Sequence, residues 1–310
     1  MEYGFEINES VDAAVKRVAR AQISLAIHDA NDPALDRHEV VHRIRKRCKK
    51  QRALIRLVRP SLADTFGRDN AFYRELSRNL SSLRDTQALL ECFDRTIDHF
   101  AATIDRDEFA PIRSFLIDRR DECTENKARL VRLTETTTSQ LEHAIGSVQD
   151  WKIDSNDFNA VAPGLEKTYR RACKAMRQVR KQPETERLHE WRKRVKYHGY
   201  HADLLARIAP GLLGAHGKLA EQLGTLLGED HDLAVLKATL FSTQFSTGGP
   251  TAVNNQCLAR LRILVETRQL QLQSDALELG RILLAEKPRH LVRRWNQYWL
   301  VARETQANAT

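Results

Sequence analysis

His42-Arg43-Ile44-Arg45-Lys46-Arg47-Cys48-Lys49 and His189-Glu190-Trp191-Arg192-Lys193-Arg194-Val195-Lys196 are two versions of one segment, 147 residues apart. The same offset carries Leu80 and Asp85 onto Leu227 and Asp232. A repeat that keeps its register across separate segments marks a duplicated structural unit. Both copies retain a histidine followed by cations at helical spacing.

Around these segments, apolar residues recur every three or four positions, and the alternation of β-branched and polar residues that marks strands is missing. Pro33, Pro60, Pro163, Pro183, Pro210, Pro250 and Pro288 stand at breaks or first turns and leave helix interiors free. The pattern predicts helices over 10–30, 36–59, 69–100, 108–135 and 138–149, then 163–181, 184–208, 212–242, 252–285 and 288–304. Segments 150–162 and 242–251, rich in Asp, Asn, Ser, Thr and Gly, are expected connectors. The expected fold is all-α: residues 1–150 and 151–310 each form an antiparallel bundle of about four helices, related by a pseudo-twofold axis.

At about 100° per residue, His42, Arg45, Lys46, Lys49, Ala53 and Arg56 share one side of the second helix, with Ile44, Cys48, Ile55 and Val58 opposite. In the second copy His189, Arg192, Lys193, Lys196 and Tyr200 oppose Trp191, Val195, Ala202 and Leu205. Between Arg37 and Arg59 there are ten Lys or Arg and one acid, Glu39. Like charges three or four residues apart repel by a few tenths of a kcal/mol per pair, so a helix selected for stability alone would interleave acids. A solvated charged face is the bland account of one such run; its duplication in register favours an anion-binding surface.

A net charge of +9 points the same way, toward nucleic acid, anionic membrane or phosphate polymer, although it is also a solubility property. Cations about 5–6 Å apart along a helix suit a linear ligand with closely spaced charges. Arg offers a fork to two phosphate oxygens, Lys a mobile point charge, and a histidine among phosphates has its pKa raised. Single-stranded nucleic acid calls for aromatic platforms, of which the stripes hold only Tyr200, so phosphate without bases is favoured. Arg17 and Arg20 in the first half, and Arg170, Arg171 and Lys174 in the second, precede the His helices and are further candidates for the same groove.

The run Leu188 to Tyr197, with its weaker first copy, resembles the hallmark of the CHAD domain, the conserved histidine α-helical domain. The resemblance extends to Tyr169-Arg170-Arg171, Leu83-Arg84-Asp85, Leu227 to Leu233 and Ala285 to Arg289. It implies two bundles facing each other across a basic cleft or pore that binds inorganic polyphosphate without chemistry of its own. Carried over residue by residue, it implicates His42, Arg45, Lys46, Lys49, His189, Arg192, Lys193 and Lys196, with Arg84 as an addition. Arg52 has no basic counterpart, because Gly199 stands there, and Ser81-Ser82 replace Gly228-Glu229, so the halves need not bind equally.

His38-Glu39-Val40-Val41-His42 spells the zinc-protease motif. Its second copy has Thr185 in place of the first histidine, and the surrounding cations oppose Zn²⁺. Asp230 and Asp232 suggest metal-assisted phosphate-chain hydrolysis; the favoured role for Asp232 and Asp85 is instead to orient neighbouring cations. His198 and His201 are assigned surface or packing roles, and Trp295, Tyr298 and Trp299 a core-facing edge. Five scattered cysteines fit reduced thiols. No signal peptide is expected from Met1 to Ser10, nor a membrane helix where no run of roughly 18 apolar residues exists. The expectation is a cytoplasmic, non-catalytic polyphosphate-binding protein without cofactor or metal, recruited to polyphosphate granules, with RNA or DNA binding as the alternative.

Overall fold

A computed structural model describes residues 3–80, 82–124, 127–153, 155, 157–241 and 255–308. These form eleven α-helices and three short 3₁₀ turns, with no strand among the described residues. The helices are α1 (Val11–Asn31), α2 (Arg37–Leu57), α3 (Phe66–Asn79), α4 (Ser82–His99), α5 (Ala110–Thr124), α6 (Lys127–Gln149), α7 (Ala162–Lys181), α8 (Thr185–Leu205), α9 (Pro210–Leu240), α10 (Asn255–Leu283) and α11 (Pro288–Ala307). The all-helical reading holds.

Local chemistry sets the ends. The Ser10 hydroxyl accepts from Ala13 N at 3.2 Å, and the Asp36 carboxylate accepts from His38 N at 2.8 Å and Glu39 N at 3.4 Å, satisfying amides that have no partner in the first turn. Pro163, Pro210 and Pro288 occupy first turns, where a missing N–H costs nothing.

Two expected boundaries are corrected. The helix expected over 69–100 is two: α3 ends at Asn79 and α4 begins at Ser82, whereas the equivalent stretch of the second half is the unbroken α9. Serine and asparagine compete for backbone partners and favour helix ends. The break expected near 136–137 is absent, and α6 runs through Thr134 to Thr138. There Thr136 and Thr138 donate to the carbonyls of Arg132 and Thr134, at 2.8 and 3.0 Å, so their hydroxyls are satisfied inside the helix. The first expected connector is also no loose linker: Trp151, Ile153 and Phe158 are buried, and Trp151 Nε1 donates to Asp69 at 3.0 Å. The second, 242–251, lies outside the described residues.

α1 packs against α2 and α6, as α7 packs against α8 and α11, and α2 and α8 touch each other. Two apolar clusters result. The larger joins α1, α2, α3 and α6 to α7, α8, α11, the first part of α9 and the end of α10. The smaller joins α4 and α5 to the last part of α9 and the first part of α10. Each cluster draws on both halves of the sequence. Close approach is built in at Gly164 in α7, where a Cβ would collide with the Leu57 carbonyl of α2, and at Gly280 in α10, where it would lie 2.6 Å from the Trp191 ring.

Candidate functional site

The apolar backs of α2 and α8 anchor as the periodicity requires: Ile44, Cys48, Ile55 and Val58, and Trp191, Val195, Ala202 and Leu205, are all at most 2% exposed. Ala53 is the exception on the expected cationic side. It is fully buried, and its carbonyl accepts from His201 Nε2 at 2.9 Å, tying α2 to α8.

With their backs fixed, the two helices present cations to a common space. His42, Arg45, Lys46 and Lys49 of α2 and Arg192 and Lys196 of α8 line one cavity of about 420 Å³. Its remaining walls include Tyr200 and Asp203 of α8, and Glu221, Thr225, His231 and Asp232 of α9. α9 makes room with small residues. A Cβ at Gly228 would sit 3.3 Å from Arg192 Nε, one at Gly224 3.3 Å from Lys196 Cγ, and one at Gly217 3.0 Å from Asp203 Oδ1. The long basic side chains therefore lie along α9 where glycine leaves space. In the first copy Arg45 donates to the Ser77 carbonyl at 3.2 Å, at the position that corresponds to Gly224.

The cavity disfavours positive charge. Burial, reinforced by Lys196, Arg192 and Arg45, lowers the Lys49 ammonium to about 7. His189 lies beside the cavity with its ring 4.3 Å from that of His231. Burial lowers His189 to about 4, helped by His231, Lys193 and Arg192, and lowers His231 to about 4, helped by Arg192 and Lys193. Both imidazoles are neutral at physiological pH. An anion would reverse each shift.

The other candidates are placed elsewhere. Lys193 is exposed and pairs with Glu190 at 2.7 Å. Arg52 donates to Asn70 at 3.2 Å and, with Arg56, lies over the Tyr197 ring. Arg17 is bound to Glu9 and to the Gly4 carbonyl at 2.8 Å, and Arg20 is half-buried on α1. Arg170 pairs with Glu166, while Arg171 and Lys174 are exposed on α7. None of these lines the cavity. The side chains of Arg84 and Asp85 lie outside the described residues.

The acids divide. Asp232 lines the cavity and pairs with Arg95 of α4 at 3.6 Å, a cation not anticipated from the repeat. Asp230 is buried and accepts from Gln273 at 2.8 Å and Gln269 at 3.4 Å of α10, so it does not share the cavity with Asp232. Glu39 of the zinc-protease motif is engaged by Arg43 at 2.7 Å. No three His, Cys, Asp or Glu side chains form a metal-holding group among the described residues. His198 and His201 are fully buried, and Trp295 and Trp299 face the core, so packing is their role. Cys48, Cys92, Cys173 and Cys257 are buried thiols, and Cys257 Sγ donates to the Glu108 carbonyl at 3.3 Å. No helix among the described residues is long and apolar enough to cross a membrane.

Asp203, Glu221, Arg95 and the α9 glycines are the parts the repeat did not flag. Gly217, Gly224 and Gly228 have the seven- and four-residue spacing of one helix face, which is the signal that could have found that wall.

The chain matches the family model described as the CHAD domain over residues 18–240. Every cavity-lining residue falls within that span, while Ala285 to Arg289 and α11 lie beyond it. No curated protein is matched.

Proposed function

Because the chain belongs to the CHAD domain family, we propose that it binds inorganic polyphosphate in the α2–α8–α9 cavity and performs no chemistry on it. The observation that carries this reading is that Arg45 and Lys49 from one copy of the repeat, and Arg192 and Lys196 from the other, line the same space. α2 and α8 act as the corresponding elements of two similar bundles, facing a shared basic cleft.

A linear chain of phosphates satisfies both stripes at once, which a single small anion does not. Arginine forks and lysine ammoniums would neutralise successive phosphates, and the like-charge repulsion in the ligand-free cleft is relieved on binding. Asp203, Glu221 and Asp232 limit the positive potential and hold the cations in register. His189 and His231 bind protons as the anion arrives. Recruitment to polyphosphate granules follows from this affinity.

The test is binding of long-chain polyphosphate at physiological salt, competed by short phosphates, single-stranded RNA and duplex DNA, with the salt slope recorded because counterion release imitates specificity. Chain-length-dependent preference for polyphosphate is expected. Equal or better binding of nucleic acid overturns the proposal. Changing Arg45, Lys46, Arg192 and Lys196, all of which line the cavity, together to Glu should abolish binding while circular dichroism shows the helices intact.

A further inference from the structure

Lys49 stands among the other cations of the cleft. It is half-buried, lines the cavity, and makes no ion pair among the described residues. Arg45 faces it from its own helix and Arg192 and Lys196 from α8. The acids of the same cavity, Asp203, Glu221 and Asp232, stand on α8 and α9. A lysine that is desolvated beside other cations is the arrangement that turns an ammonium into an amine nucleophile.

We propose that Lys49 is an acylation site: its amine takes the acyl group of a small acyl phosphate whose phosphate is bound by Arg45 and Arg192. The proposal rests on the reading that this cavity accepts phosphate groups. The Nζ lone pair attacks the carbonyl carbon and forms the C–N bond. The bond from that carbon to the bridging phosphate oxygen breaks, and inorganic phosphate leaves with the electron pair. The proton released from nitrogen passes to the departing phosphate or to water. No oxidant or reductant is involved, and the acyl phosphate is the only co-reactant.

Two features of the cleft serve this step. The flanking guanidiniums concentrate the donor and stabilise its leaving group as charge develops there. The ammonium, lowered to about 7, supplies a large neutral fraction at physiological pH, which exposed lysines lack. The product amide is uncharged, so acylation deletes one cation from the middle of the α2 stripe and weakens the cleft for polyanions. A bound polyphosphate has the opposite effect, covering the amine and holding it protonated.

The experiment treats the full-length protein with acetyl phosphate at neutral pH and follows each lysine by mass spectrometry at early times. A parallel reaction uses p-nitrophenyl acetate, a donor without phosphate. With acetyl phosphate, Lys49 should be modified on the order of tenfold faster than exposed Lys174, a ratio that reflects its neutral fraction and the phosphate handle. Its preference should shrink with p-nitrophenyl acetate, and polyphosphate should protect it. Modification no faster than that of Lys174, or an equal preference with both donors, overturns the proposal. Polyphosphate binding is measured on the same preparation. Binding without Lys49 preference defeats this inference alone, whereas Lys49 preference without polyphosphate binding or protection defeats the polyphosphate reading and leaves a small-phosphate site.

Discussion

Arg192 lies against Gly228 of α9, whose absent Cβ would stand 3.3 Å from its Nε and 3.4 Å from a terminal nitrogen. The basic side chain is thus positioned by missing atoms on the facing helix. Gly228→Leu should push the guanidinium off this wall and weaken polyphosphate binding roughly ten- to a hundredfold, given about 1.5–3 kcal/mol for a hydrogen bond to a charged group. Gly228→Ala should cost less affinity, because the flexible Arg192 can yield by a few tenths of an ångström, and it gains up to about 1 kcal/mol of helix propensity. Titration calorimetry and thermal melts on both variants separate these effects. Unchanged affinity in folded Gly228→Leu would show that Arg192 does not depend on the glycine.

Proton uptake should accompany binding. Lys49 stands at about 7 without ligand, lowered by burial, Lys196, Arg192 and Arg45, and a polyanion favours its charged form. The complex then holds more protons than the free protein above pH 7, so affinity is highest below that value and falls as pH rises through the bound-state pKa. His189 and His231, both at about 4 when free, add a second gain as pH drops below their bound-state values. Calorimetry at pH 8 in buffers of different ionisation enthalpy reads the uptake directly. Lys49→Arg should abolish the alkaline part, because arginine keeps its charge throughout this range.

Sequence periodicity carried the fold a long way because buried faces repeat every three to four residues: Ile44, Cys48, Trp191 and Val195 are inside as their spacing requires. The repeat likewise located five cavity cations, Arg45, Lys46, Lys49, Arg192 and Lys196. What it could not convey is which residues share a space. Arg17 and Arg170 have the same residue type and a similar setting before a His helix, yet Glu9 and Glu166 engage them. Glu166 is the i,i+4 neighbour of Arg170 on α7 and could have been read from spacing, whereas Glu9, from the segment before α1, and Arg95 beside Asp232 come from packing between elements. The break between α3 and α4 has the same character, since Ser82 is compatible with a helix interior or a helix start until tertiary contacts decide.

Trp191 anchors α8 behind the cleft and is fully buried, with α10 pressed against its ring at Gly280. A Cβ there would lie 2.6 Å from Cζ2 and 3.1 Å from Met176 Sδ. Neither the indole nor the helix backbone can move aside freely, so Gly280→Ala should destabilise by about 1–3 kcal/mol, the usual cost of overpacking, despite alanine's better helix propensity. Denaturant melts measure this. A neutral or stabilised variant would mean that α10 can shift without loss, and that the cleft's rear wall is softer than its packing indicates.

Acid should unfold the protein through its buried histidines. His198 and His216 approach at 2.7 Å between their Nε2 atoms, one donating to the other, and His198 stacks on Trp295 with ring centroids 5.8 Å apart. His201 is spent on the Ala53 carbonyl that ties α8 to α2. Burial holds His201 and His216 at about 4 and His198 well below its ordinary value. The unfolded chain, with histidines near about 6.5, therefore binds more protons than the folded one between that pH and 4. The stability these groups confer is complete above about pH 6.5 and falls with pH, at up to about 1.4 kcal/mol per unit for each histidine. Melting temperature measured from pH 8 to pH 5 should be flat, then decline. His216→Gln, which keeps a polar partner for His198 and cannot titrate, should flatten the decline. A wild-type melting temperature that holds steady down to pH 5 would mean that these imidazoles are protonated without penalty, and that the α8–α9–α11 junction admits water.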